Sequence, residues 1–159
     1  MKLFKKLAAA MLVAALALTM VGCGGRNSLM DQIKDVIADV YAMKDEELTN
    51  KKELDALAAK LMAEADKAEN KDKTVLELLT DEKVVKDAGI DAAKETYFVS
   101  AAENYKLVSN TANKEKAMML ALDLTNSSEK IGKGSQDPNS YGLAMGKING
   151  KEYVVMLMN

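Results

Sequence analysis

SYGLAMGKINGKEYVVMLM, residues Ser140 to Met158, is the stretch on which the fold turns. Asn149-Gly150 at its centre favours a two-residue type I′ turn, because both residues accept positive φ at little steric cost and apolar runs flank them. Pairing Ile148 with Lys151 sets Lys147 opposite Glu152, an opposite-charge pair, and sets Gly146, Ala144 and Gly142 opposite Tyr153, Val155 and Leu157. One face of this hairpin therefore matches small residues with large ones. The other carries Tyr141, Leu143, Met145, Val154, Met156 and Met158. Both faces are apolar, so each requires a covering layer.

Helices that could supply those layers lie upstream. From Asn27 to about Met43, with Asn27 or Ser28 as cap, Leu29, Ile33, Val36, Ile37 and Val40 recur at the spacing of one buried stripe. A polar break from Lys44 to Thr49 follows. Asn50 can cap a second helix, with Glu53 closing a capping box and Leu54, Leu57, Ala58, Leu61, Met62 and Ala65 lining one face. Two such helices joined by a short polar turn predict an antiparallel helical hairpin. A shorter helix is expected from Thr74 to Ala88, ended by Gly89.

The second half changes character. Glu95 to Ser100 and Tyr105 to Ser109 are rich in β-branched and aromatic residues around Glu103-Asn104, which predicts two short strands and a turn. Phe98, Ala101, Ala102 and Tyr105 also fit helical spacing, so 95–109 is open between strands and helix. Thr111 to Leu124 reads as a helix with Ala117, Leu120, Ala121 and Leu124 as its stripe. The expected architecture is α+β: an N-terminal helical hairpin, then a small antiparallel sheet with a packed helix in the order β-β-α-β-β, all within a single domain over 28–159.

The N-terminus carries a different signal. Lys2, Lys5 and Lys6 precede an apolar run from Leu7 to Val21, too short for the roughly 20 residues that a helix needs to cross a hydrocarbon core, and this reads as an export signal over 1–22. Met20-Val21-Gly22-Cys23 resembles the lipobox of bacterial lipoproteins. The resemblance implies cleavage before Cys23, a diacylglyceryl group on its sulfur, and a lipid-anchored protein on the extracytoplasmic side of the cell membrane. Two acyl chains give durable anchoring where one binds only reversibly. Residues 23–27 are then a tether of about 15 Å at ~3.5 Å per residue. The order of elements together with the lipobox is similar to small lipoproteins of Gram-positive, clostridia-like bacteria, a resemblance that brings no activity with it.

Composition narrows the chemistry. The export segment holds three of the 22 basic residues and none of the 24 acidic ones, so the remainder has a formal net charge of −5, which argues against a nucleic-acid partner. There is no histidine, which removes imidazole as base or ligand and with it the Ser-His-Asp and Cys-His arrangements. With its one cysteine committed to lipid, the chain has no thiol nucleophile, and no cofactor is indicated. Gly132-Lys133-Gly134-Ser135 lacks the spacing of a phosphate loop, and calcium-loop registers starting at Asn70 and Asp123 lack the required glycine. Asp45, Glu46 and Glu47, and Asp81 and Glu82, are acidic groups beside lysines and read as solvated surface.

Three readings of function remain. The first is a non-enzymatic domain that binds a protein or small ligand near the membrane. The second is an enzyme using carboxylate, Lys or Ser chemistry, with the polar segment 125–140 over its site. The third uses Met145, Met156 and Met158, three thioethers on one predicted face, as soft ligands for Cu(I); against it, methionine is a routine filler of apolar cores.

Overall fold

The computed structural model describes residues 28–68, 72–104 and 113–159. The export segment 1–22, Cys23 with its tether, and the expected strand at 105–109 lie outside them. The described elements run α1 (Leu29–Ala42), β1 (Thr49–Asn50), α2 (Lys52–Lys67), α3 (Val75–Leu79), α4 (Glu82–Asp87), β2 (Tyr97–Glu103), α5 (Asn113–Asn126), β3 (Glu129–Ile131), β4 (Ser140–Ile148) and β5 (Lys151–Met158). The strands form one sheet in the order β1-β4-β5-β2-β3.

The β4–β5 hairpin has the register its turn demands. Ile148 faces Lys151, Lys147 faces Glu152, and Gly146, Ala144 and Gly142 face Tyr153, Val155 and Leu157. Asn149 and Gly150 have φ of 51° and 81°, as a type I′ turn requires. The small-residue face lies under α2, whose Leu54, Ala58, Leu61, Met62 and Ala65 are buried in a core with Val99, Ile148, Val155, Leu157 and the apolar residues of α3 and α4. The other face carries Tyr141, Leu143, Val154, Met156 and Met158 beneath α1 and α5. Burying a side chain such as Leu61, Leu120 or Leu157 completely contributes about 1.5–3 kcal/mol each.

The α+β class is thus as expected, and several finer features differ. The first two helices are consecutive, but they lie on opposite faces of the sheet instead of packing as a hairpin. A hairpin would leave one apolar face of β4–β5 bare, whereas separating the helices covers both. Between them Thr49 and Asn50 pair in parallel with Ser140 and Tyr141, so the sheet is mixed, not purely antiparallel. As part of that strand, Asn50 does not cap α2; its amide donates to Tyr141 O at 3.1 Å and to Asp55 Oδ1 at 2.9 Å. The helix expected over 74–88 is two short ones, because Asp81 starts a new turn by accepting from Lys83 N and Val84 N. β2 runs through Glu103 without turning, since it lies between β5 and β3 with Glu103 opposite Tyr153. The polar segment 125–140 contains the end of α5, the edge strand β3 and the first residue of β4.

Helix α2 sits unusually close to β4. A Cβ on Gly142 would run into the backbone of Leu54 and Asp55, and one on Gly146 would stand 2.6 Å from Met62 Sδ. Each end of the contact is closed by a carboxylate on a backbone amide of the hairpin: Leu143 N of β4 donates to Asp55 Oδ1 at 2.7 Å and Asn149 N of the turn to Asp66 Oδ1 at 2.8 Å. Asp55 also accepts from Lys34 Nζ of α1 at 3.1 Å, tying both helical layers to the β4 edge. Partial burial pushes its carboxyl up, but the Leu143 amide, Asn50 and Lys34 outweigh this and hold it below the usual 3.8.

Two predictions follow from the α2–β4 contact. Gly142→Ala destabilises by at least about 2 kcal/mol because backbone must move, whereas Gly146→Ala costs less than about 1 kcal/mol because the Met62 side chain can turn aside; urea unfolding of both variants measures the difference. Asp55→Asn costs about 1–3 kcal/mol near neutral pH through the weakened cap on a buried amide. A carboxyl lowered in the folded state stabilises above its unfolded pKa and loses that contribution as pH falls through the folded value. The gap between the native protein and Asp55→Asn therefore narrows below pH 4, and a constant gap from pH 7 to pH 3 contradicts this assignment.

Candidate functional site

A concavity forms where the turns after α4 meet the outer strand β3. Helix α4 starts on Asp81, whose carboxylate also accepts from Lys73 Nζ at 2.7 Å, and stops at Gly89, which takes φ of 89°. The chain then sinks Ile90 into the core and turns on Asp91. Its Oδ1 accepts from Ala93 N at 3.2 Å and its carbonyl from Lys94 N and Glu95 N. On the opposite lip, Gly132 follows β3 with φ of 93°, pressed so closely against the carbonyls of Ala92 and Glu95 that a Cβ would not fit.

Between these lips lies an open cleft of about 730 Å³. Val85, Ile90 and Ile131, all core residues, give it an apolar floor. Its rim carries Lys86, Lys130 and Lys133 together with Glu82 and Asp91. An apolar floor with a rim of both signs suits a peptide segment or a small amphipathic molecule better than a highly charged one. Asp91 is held below the usual carboxylate range, first by its hydrogen bond from Lys94 at 2.9 Å, so it stays ionised at neutral pH.

The residues singled out in the sequence are placed as follows. Cys23 is outside the described residues. Met156 and Met158 are buried between the sheet and the α1/α5 layer, and Tyr41 Oη donates to Met158 Sδ at 3.8 Å. Met145 is 40% exposed on the same face, with Asn104 Nδ2 donating to its sulfur at 3.6 Å. The three sulfurs thus share a face but not an environment. Asp45, with φ of 57°, Glu46 and Glu47 are exposed in the turn after α1, and Asp81 is the α4 cap. Among the described residues, no three His, Cys, Asp or Glu side chains group as a metal site.

Gly132 and Lys133 of segment 125–140 do reach the cleft, as its lip. Glu82, read from the sequence as solvated surface, and Gly89, read as a helix end, also line it; the sequence does not group them, because the lining comes from 80–93 and 130–133, which only the β2–β3 pairing brings together. The glycines Gly89 and Gly132, each followed by a change of chain direction, were the available signal.

Gly132→Ala is expected to open this lip. It should lower stability by about 1–3 kcal/mol and speed amide hydrogen exchange in β3 and at Tyr97 and Phe98 by more than in β4 and β5, whose exchange rises only as far as the global loss requires.

The chain significantly matches no protein-family model, no curated protein and no solved structure, so its functional reading rests on the residues themselves.

Proposed function

We propose that this protein is a lipid-anchored, extracytoplasmic binding protein. It is held to the membrane by diacylglyceryl on Cys23, and its α+β domain takes up a protein segment or small amphipathic ligand, without chemical conversion, in the cleft between 80–93 and 130–133. The observation that carries this reading is the spacing at the N-terminus. Met20-Val21-Gly22-Cys23 ends five residues before Ser28, the side chain that caps α1 by accepting from Asp31 N at 3.2 Å. Helix α1 therefore begins six residues after the proposed acylation point, which suits a domain tethered close to a surface.

Binding without catalysis is supported by the chemistry of the cleft. Its acid Asp91 is kept ionised by Lys94, which suits recognition of a cation or amide but not proton donation near neutral pH. Its apolar floor is continuous with the core and gives a ligand buried area.

Cys23→Ser is expected to move the protein from the membrane fraction to the soluble exported fraction with its unfolding midpoint unchanged, since the anchor lies outside the core. A variant still firmly in the membrane overturns the anchor. Native mass spectrometry of the protein gently extracted from its own membranes tests the binding reading. A reproducible added mass that Ile90→Glu abolishes is the expected result, with circular dichroism to verify the variant's fold.

A further inference from the structure

We infer that the cleft takes an extended peptide segment of a partner protein, which joins the sheet as a further strand beside β3 and sets acidic side chains against the lysines of the rim. The inference rests on the reading of the cleft as a binding site and names the class of ligand it takes.

The hydrogen-bond parity of the sheet shows which groups of β3 are free. Ser140 and Asn159 exchange both of their backbone hydrogen bonds, and Asn104 N donates to Glu152 O. Odd-numbered residues of β5 therefore turn their N–H and C=O groups to β4, and even-numbered ones to β2. With Ser100 opposite Met156, the even residues of β2 answer β5 and the odd ones answer β3. The pairs Tyr97–Ile131 and Val99–Glu129 accordingly hold β3, and the N–H and C=O of Lys130 between them point out of the sheet. β3 ends the strand order, and among the described residues nothing bonds these two groups. The opposite margin is better closed, because β1 pairs with Tyr141 while Asp55 and Asp66 hold the outward amides of Leu143 and Asn149.

The cleft follows the open edge. Lys130, Ile131, Gly132 and Lys133 border it in succession. Consecutive side chains of a strand leave opposite faces, so a hollow that touches Lys130 and Ile131 alike runs along the edge and not over one face. A polypeptide in extended form supplies the acceptor and donor that such an edge residue lacks. Its side chains then alternate. Those level with Ile131 fall on the face where Val85, Ile90 and Ile131 join the core, and suit apolar residues. The one level with Lys130 falls on the other face. Charge selects its chemistry: among the described residues Lys86, Lys130 and Lys133 form no ion pair, whereas Asp91 is held by Lys94, which leaves Glu82 as the unpaired acid of the rim. Alternating apolar and acidic residues complement this edge.

The probe is the peptide acetyl-Val-Glu-Val-Glu-Val-amide, titrated into isotopically labelled protein and followed in the amide NMR spectrum. Shifts at Ile90, Lys130 and Ile131 and slowed exchange of the Lys130 amide are expected, with affinity about tenfold lower when lysine replaces both glutamates. Two further forms carry N-methyl groups on the glutamates alone or on the valines alone. Strand pairing uses every second N–H, so one form is expected to bind like the parent and the other about tenfold more weakly. Equal affinities of the two methylated forms, equal affinities of the glutamate and lysine peptides, or shifts centred on Met145 and Lys147 at the other margin overturn the inference. Absence of peptide binding overturns it too. The cleft reading is then judged separately with 8-anilinonaphthalene-1-sulfonate: dye fluorescence that Ile90→Glu abolishes leaves a site for small amphipathic molecules, and fluorescence indifferent to that change removes the cleft as well.

Discussion

The close seating of α2 on β4 is the contact on which the other packing depends. Gly142 and Gly146 remove the side chains that would hold a helix at the ordinary distance, and Leu54 and Met62 occupy the space released. Because the strand beneath is so nearly bare, the large residues of β5 on that face, Val155 and Leu157, are covered by the same helix. Once α2 is fixed there, the short segment Leu48 to Lys51 must cross the sheet edge from the opposite layer. β1 is the consequence: Thr49 N and Lys51 N donate to the carbonyls of Asn139 and Tyr141 as the chain passes.

Charge in this protein is spent mainly on backbone. Asp55 and Asp66 satisfy amides of Leu143 and Asn149 at the sheet margin, and Asp31, Glu77 and Asp81 satisfy helix N-termini through Ser28, Thr74 and Asp81 itself. Of these, Asp31, Asp55, Glu77 and Asp81 are held below the usual carboxylate range, the opposite of what a general acid needs near neutral pH. The buried phenols behave alike. Burial first, then neighbouring Glu95 for Tyr97 and Asp55 with Asp35 for Tyr141, pushes each up to about 12, so both remain neutral donors or packing groups. The cleft inherits this pattern, with its one clearly perturbed acid tied to Lys94.

The domain also has two chemically different ends. The end at which α1 begins carries the hairpin tip, Met145 and two exposed lysines, and the other carries the turns around Asp91 and Gly132. Val99, Val154, Val155, Met156 and Leu157 are fully buried at the centre of the intervening sheet.

Local chemistry was legible in the chain itself. Asn149-Gly150 specified the turn and hence the whole β4–β5 register; Ser28 and Gly89 marked helix ends; the stripes of α1, α2 and α5 named their buried faces. These features depend on residues a few positions apart, whose steric and hydrogen-bonding preferences act whatever surrounds them. Position in space was not legible. Nothing in the stripes of α1 and α2 says whether two apolar faces meet each other or opposite sides of a sheet, and only the need to cover both faces of β4–β5 separated them. The same holds for Asn50, drawn from a capping role by the carbonyl of Tyr141, and for the cleft, whose lips are some 40 residues apart in the chain. Sequence alone determined the β4–β5 register and the buried stripes of α1, α2 and α5; the tertiary structure decided the edge strands β1 and β3, the break at Asp81, the layering and the site, because long-range burial, unlike a turn or a cap, has no local signature.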